Sequence, residues 1–94
     1  MNFRYSVDAT NKFKKDIKRI KKRGYDMALL KNVINKLAMG EPLPAANKDH
    51  ALASSNMIGY RECHIQPDWL LLYIIDDDCL VLTLTRTGTH SDLF

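Results

Sequence analysis

The sequence has no apolar stretch of membrane-spanning length. Its longest run, Trp69 to Ile75, covers seven residues, against the roughly 20 that a bilayer-crossing helix requires. The opening residues, Met1 to Asp8, mix polar and apolar side chains and lack the continuous apolar region of a secretory signal. Cysteine is scarce. Cys63 and Cys79 are the only two, and without a Cys-x-x-Cys pair the strongest zinc signature is excluded. Both fall in apolar strand-like segments, where a reduced thiol behaves as a small buried hydrophobe. Low-complexity sequence is also missing, and 46% hydrophobic with 27% charged residues is the usage of an ordinary globular protein. For 94 residues the expectation is one domain over 1–94 with one core, no membrane association and a place in the cytoplasm.

What is present is charge, unevenly placed. The net charge is only +3, but residues 1–36 carry eleven Lys or Arg against three Asp, and residues 37–94 carry three against eight Asp or Glu. Most of the early charge lies in Thr10 to Arg23, where Lys12, Lys14, Lys15, Lys18, Arg19, Lys21 and Lys22 surround an apolar stripe of Phe13, Ile17 and Ile20 at helical spacing. The outer face of such a helix, with Lys14, Lys18 and Lys22, suits a phosphate backbone, an acidic protein or plain solvent equally well.

Residues 2–7 alternate as a strand, with Phe3, Tyr5 and Val7 on one face. Asp8 or Thr10 can cap the first helix and Gly24 can end it. A second helix follows, N-capped by Asp26, with Met27, Leu30, Ile34 and Leu37 on one face, and it stops at Gly40 and Pro42. Residues 41–57, containing Pro42, Pro44 and Ser54-Ser55-Asn56, read as an irregular connection. Then the period changes. Ile58 to Ile65, Trp69 to Asp76 and Cys79 to Arg86 form strand-like runs separated by Gln66-Pro67-Asp68 and by an Asp76-Asp77-Asp78 turn. The expected fold is α+β, in the order β-α-α-β-β-β, with a helical hairpin on one face of a four-stranded, mainly antiparallel sheet. The position of the first strand in that sheet is left open.

The three histidines fall in the second half, His50 in the connection, His64 in a strand and His90 in the tail. A meander brings His64 near Asp68 and Trp69 across the turn, and it brings the end of the third strand, Arg86, with His90 after it, toward the same sheet edge. His50 is delivered by the loop. Two imidazoles, a carboxylate and a guanidinium are what cleavage of RNA by the ribose 2′-hydroxyl needs: a base, an acid and a fixed cation for the phosphate. Histidine titrates near working pH, and arginine grips phosphate with a planar fork. Metal binding is the competing use of these groups, but their spacing fits no ligand pattern and Arg86 would oppose a cation. A Ser/His/Asp hydrolase is weaker still, because His90-Ser91-Asp92 are sequence neighbours and no nucleophile-elbow motif is present.

Three stretches carry a resemblance: Gly59-Tyr60-Arg61-Glu62-Cys63-His64-Ile65-Gln66-Pro67-Asp68-Trp69-Leu70-Leu71, the tail Arg86-Thr87-Gly88-Thr89-His90-Ser91-Asp92-Leu93-Phe94, and Lys48-Asp49-His50. Together with the order of elements they resemble the YafQ-type toxins of the RelE superfamily. The resemblance implies a ribosome-dependent endoribonuclease that needs no cofactor or metal, cuts mRNA in the A site of the 30S subunit beside 16S rRNA, and is neutralised by a cognate antitoxin. The toxin–antitoxin complex would bind its own operator DNA through the antitoxin. Carried over by motif, the catalytic set is His50, His64, Asp68, Arg86 and His90, supported by Trp69 and Phe94. Roles implied are His90 as general acid, Asp68 or His50 as general base, Arg86 with His64 on the phosphate, and Phe94 against a base. Arg61 is a candidate for substrate contact or, being on the opposite strand face from His64, for a structural role. Where relatives commonly read Leu-x-Gly-x-Trp-x-Gly before the meander, this chain has Leu52-Ala53-Ser54-Ser55-Asn56-Met57-Ile58-Gly59. Two other readings stay open on the same fold: a ParE-like gyrase inhibitor, and a noncatalytic RNA- or ribosome-binding module in which only the basic helix matters.

Overall fold

The computed structural model describes residues 3–52 and 57–94. The Ser54-Ser55-Asn56 stretch lies outside the described residues. The elements are β1 (Ser6–Ala9), α1 (Asn11–Lys22), α2 (Met27–Ala38), a 3-10 turn (Ala45–Asn47), β2 (His50–Ala51), β3 (Arg61–Gln66), β4 (Trp69–Asp76), β5 (Val81–Gly88) and α3 (His90–Leu93). They build one sheet in the order β1-β5-β4-β3-β2, with β1 parallel to β5 and every other pair antiparallel.

Both long helices begin and end where local chemistry dictates. Thr10 Oγ1 accepts from the Phe13 N–H at the start of α1, and Asp26 accepts from the Ala28 N–H at the start of α2. Each stops at a left-handed glycine, Gly24 and Gly40, whose N–H and that of the next residue return to the last turn: Gly24 to Lys21 and Tyr25 to Ile20, Gly40 to Leu37 and Glu41 to Lys36. The buried faces of these helices (Phe13, Ile20, Leu30, Val33, Leu37) cover one face of the sheet, packing on Cys63, Trp69, Leu71, Tyr73, Leu82 and Leu84.

The sheet departs from the sequence expectation in four places. A fifth strand exists, because His50 and Ala51 pair with Glu62 and Arg61. The first strand starts at Ser6, not Asn2: the Arg4 and Tyr5 amides bond to the Ala38 carbonyl at the end of α2, and the ladder begins with Ser6 N–H to Leu80 O. Tyr5 alone of the alternating trio is buried, and Phe3 and Val7 are exposed. β3 begins three residues late, since Met57 to Gly59 form a turn that leaves Ile58 in solvent. The acidic turn extends through Leu80, with Asp76 accepting from the Asp78 and Cys79 amides. Cys79 is consequently exposed, contrary to expectation, whereas Cys63 is fully buried and burial pushes its thiol up to about 12.

β5 carries the feature that arranges the rest. Leu84 pairs with Tyr73 and Arg86 with Leu72, so one residue, Thr85, is extra. Such a bulge reverses the alternation of faces. Leu82 and Leu84 point to the helices, Arg86 to the opposite face, and Thr87 back again. Thr87 is wholly buried, where its hydroxyl accepts from the indole N–H of Trp69 and donates to Leu70 O. Replacing Thr87 by Val keeps the volume and strands that N–H. Thr87→Val should lower stability by about 1–3 kcal/mol in urea unfolding followed by the fluorescence of the single tryptophan. An unchanged midpoint would mean that the indole finds another partner.

Candidate functional site

The face turned away from the helices is built row by row. Glu62 and His64 of β3, Leu72 and Leu70 of β4, and Arg86 and Gly88 of β5 lie opposite one another across the ladder, and His50 of β2 faces Glu62. Glu62 is only 5% exposed, and its Oε1 stands 3.6 Å from His50 Nε2 and 3.7 Å from His64 Nε2. The other ring nitrogens meet backbone carbonyls: His50 Nδ1 is 2.7 Å from Lys48 O, and His64 Nδ1 is 3.3 Å from Pro67 O. A carbonyl only accepts, so Nδ1 carries the hydrogen in both rings and Nε2 is the atom turned to Glu62.

His90 enters from α3. Its ring lies 6.3 Å from that of His64 and 6.0 Å from that of Phe94, and its Nδ1 is 3.9 Å from Asp68 Oδ1. Four residues would scarcely hold a helix, and this one is pinned. Thr89 and Asp92 form a capping box. Asp92 also receives a bidentate bond from Arg23, at 2.6 and 3.0 Å, with Arg19 at 3.7 Å. The Arg23 guanidinium, helped by the Thr89 N–H, holds the Asp92 carboxyl far below the usual carboxylate range. Gly88 is needed here, since a Cβ would come within 2.9 Å of Asp92 Oδ2.

Arg86 is held by Asp16. The β1 pairing stops at Ala9 opposite Leu84, which leaves the outer edge of β5 open, and α1 runs along it. Asp16, 1% exposed on the stripe between Phe13 and Ile20, accepts from the Thr87 N–H at 3.2 Å, from Arg86 Nε at 2.7 Å and from Arg86 Nη2 at 3.1 Å. The pair raises the Arg86 guanidinium further. Two of five donors are thereby used, and three remain for a ligand.

His50 is fixed through its neighbour. Asp49, on the helix side, accepts from the Tyr73 hydroxyl and, at 3.1 Å, from Arg61 Nη2. Burial, then the bond to Asp49, raises the Tyr73 hydroxyl. Alternation along β2 then turns His50 to the other face.

Of the residues singled out from sequence, His50, His64, Asp68, His90 and Phe94 form a chain of neighbours linked through Glu62. Arg86 shares their face but lies two ladder pairs inward from the row of His64, engaged with Asp16. Asp68 meets His90, whereas His64 meets the Pro67 carbonyl. Trp69 is 1% exposed, edge-on to Tyr25 at 5.0 Å, and supports the sheet from the helix side instead of meeting a ligand. Arg61 likewise lies on the helix side, as an anchor for Asp49. Lys14, Lys18 and Lys22 are exposed along α1. Sequence reasoning missed Glu62, although it shares a strand face with His64. It also missed Asp16, although positions 13, 16, 17 and 20 share a helix face. Among the described residues no three His, Cys, Asp or Glu groups are placed to hold a metal ion, and no helix is long and apolar enough to cross a membrane.

The family model described as a bacterial toxin of type II toxin–antitoxin system, YafQ, matches residues 5–94. The chain is 44% identical over 89 residues to the mRNA interferase toxin YafQ of Escherichia coli strain B / BL21-DE3, covering 94% of each. The crystal structure of YafQ from that strain superposes with a TM-score of 0.88 at 42% identity, over 96% of this chain and 98% of that one. The E. coli DinJ–YafQ toxin–antitoxin complex gives 0.88 at 40% identity, over 97% and 98%.

Two measurements check the geometry. Arg86→Gln takes from buried Asp16 its hydrogen-bonded cation and leaves only Arg19 at 3.6 Å, a loss of up to about 3–5 kcal/mol at full burial and less here because Arg19 remains and Arg86 is partly exposed. Adding Asp16→Asn to that variant should recover part of the loss in urea unfolding, and strictly additive losses would contradict the pairing. The second concerns pH. Because the Asp92 carboxyl is depressed in the folded chain, the stability it gives α3 is complete above about pH 4, and it disappears only as pH falls through the lowered value. Hydrogen exchange at the Phe94 amide, bonded to His90 O, should therefore show protection at pH 5 in the parent, and Asp92→Asn should lose it at every pH.

Proposed function

The chain belongs to the YafQ family of bacterial toxins of type II toxin–antitoxin systems, and on that footing we propose that it is an mRNA interferase that cuts message in the ribosomal A site. The observation that carries the reading is the gathering of three imidazoles, two carboxylates and a guanidinium on one sheet face. In the reaction the ribose 2′-oxygen loses its proton to a base and bonds to the adjacent phosphorus. The P–O5′ bond breaks, and an acid protonates the leaving 5′-oxygen, giving a 2′,3′-cyclic phosphate and a 5′-hydroxyl end. Attack and departure lie in line, so base and acid belong on opposite sides of the phosphorus. His90 serves as acid with Asp68 beside it to orient the ring. His50, across His64 from His90, fits the base better than Asp68 does. Arg86 and His64 stabilise charge on the phosphate, and Phe94, exposed beside His90, stacks on a base.

Partners follow from the same reading. Lys14, Lys18 and Lys22 on the outer face of α1 meet the phosphates of 16S rRNA. A cognate antitoxin, as DinJ is for E. coli YafQ, covers α1 and the active face, and the complex reaches operator DNA through that antitoxin. The place of action is the cytoplasm.

Mapping RNA ends on translating ribosomes tests the assignment. The parent should yield cuts within codons, and His90→Ala or Arg86→Ala should cut about 10²–10⁴-fold more slowly. Equal cutting by these variants would remove the assigned roles. Absence of cutting together with inhibited gyrase supercoiling would move the chain to a ParE-like function.

A further inference from the structure

Beside the histidines, on the same face, lies a cleft of about 400 Å³ that meets the cleavage chemistry at Arg86. Leu72 is among its apolar lining residues, with Met57, Tyr60 and Leu93, and the cations Lys12 and Arg86 border it as well. The position is specific. Leu72 stands in the ladder between Glu62 and Arg86, so the cleft adjoins the buried carboxylate on one side and the phosphate-binding arginine on the other. Leu93 shares α3 with His90. A chain lying across the histidines and Arg86 passes beside it.

The lining selects the ligand chemistry. Apolar surface with one aromatic ring suits a flat, weakly polar group, and the two cations require a negative charge attached to it. The threonine hydroxyls at hand are occupied: Thr10 Oγ1 donates to Thr85 O and accepts from Phe13 N–H, and Thr85 Oγ1 donates to Thr83 O. Few groups remain to read hydrogen-bond patterns, so recognition rests on stacking and fit. A nucleotide has this combination of flat base and phosphate.

We propose that this cleft is a base subsite of the RNA-cleaving face: it holds the nucleotide next to the cleaved bond, its base against Tyr60, Leu72 and Leu93 and its phosphate toward Lys12 and Arg86. The proposal rests on the RNA-cleavage reading. Arg86 then faces two phosphates, the reacting one and its neighbour, and Tyr60 sets which messages are cut.

The test is the concentration dependence and end mapping of cleavage on translating ribosomes, with the parent, His90→Ala, Tyr60→Ala, Tyr60→Phe and Lys12→Ala. Tyr60→Ala should raise KM roughly 5- to 100-fold, the range of one lost base–aromatic stack, with kcat changed far less. It should also flatten the base distribution at one position flanking the cut. Tyr60→Phe keeps the ring and should behave as the parent. Lys12→Ala should raise KM while leaving the distribution intact, and it carries the test if Tyr60→Ala does not fold. Parent-like KM and distribution in folded Tyr60→Ala, or parent-like KM in Lys12→Ala, would overturn the subsite. A loss confined to antitoxin affinity would assign the cleft to the antitoxin and equally overturn it. No cutting by the parent removes the cleavage reading and the subsite together, whereas cutting by the parent and not by His90→Ala, with an unaltered Tyr60→Ala profile, removes the subsite alone.

Discussion

A single buried carboxylate, Asp16, governs how this sheet presents its outer face. Where β1 ends, β5 has an open edge and an unpaired Thr87 N–H, and a basic helix runs beside it. Asp16 takes that N–H together with two donors of Arg86. A carboxylate enclosed this far needs several donors to offset its lost hydration, and the two residues after the Thr85 bulge supply them. The bulge and the acid are thus mutually dependent: one turns Arg86 to the outer face, the other keeps its guanidinium there. Arg19 lies 3.6 Å from Asp16 and 3.7 Å from Asp92, so the anchor of Arg86 and the anchor of the histidine-bearing tail share a cation.

The same economy recurs across the sheet. Residues on the outer face are placed by neighbours on the helix side. Asp49, gripped by Tyr73 and Arg61, sets His50. Trp69, gripped by Thr87, sets the end of β4 against which His64 and Asp68 turn. The groups of the outer face are held in place by the rigid packing beneath it. Trp69 and Arg61 both lie on the helix side of this division, one buried against Tyr25 and the other bonded to Asp49.

Much of this arrangement was legible beforehand. Thr10 and Asp26 as caps, Gly24 and Gly40 as stops and Trp69 to Asp76 as a strand all follow from short-range chemistry, and the structure agrees with each. The errors lie where distant chain segments decide. Nothing near Phe3 shows that the Arg4 and Tyr5 amides go to Ala38, and nothing near Cys79 shows that the turn continues to Leu80. The bulge at Thr85 cannot be read from a run of alternating residues. It put Arg86 on the face expected of it, but two pairs inward and tied to a helix 70 positions earlier. Glu62 and Asp16 were readable from spacing alone; attention to histidines and to net basic charge hid them.

That separation along the chain has a consequence in time. Ser6 pairs with Val81, Tyr5 with Asp77 and Asp16 with Arg86, so the first strand and the first helix find their partners only after some seventy further residues exist. Contacts this remote in sequence form after the local ones, and synthesis delivers the amino-terminal segment first. A half-made chain has a helical hairpin with no sheet to cover, no anchored arginine and no docked tail. The outer face therefore takes shape only once β5 and the tail have been made.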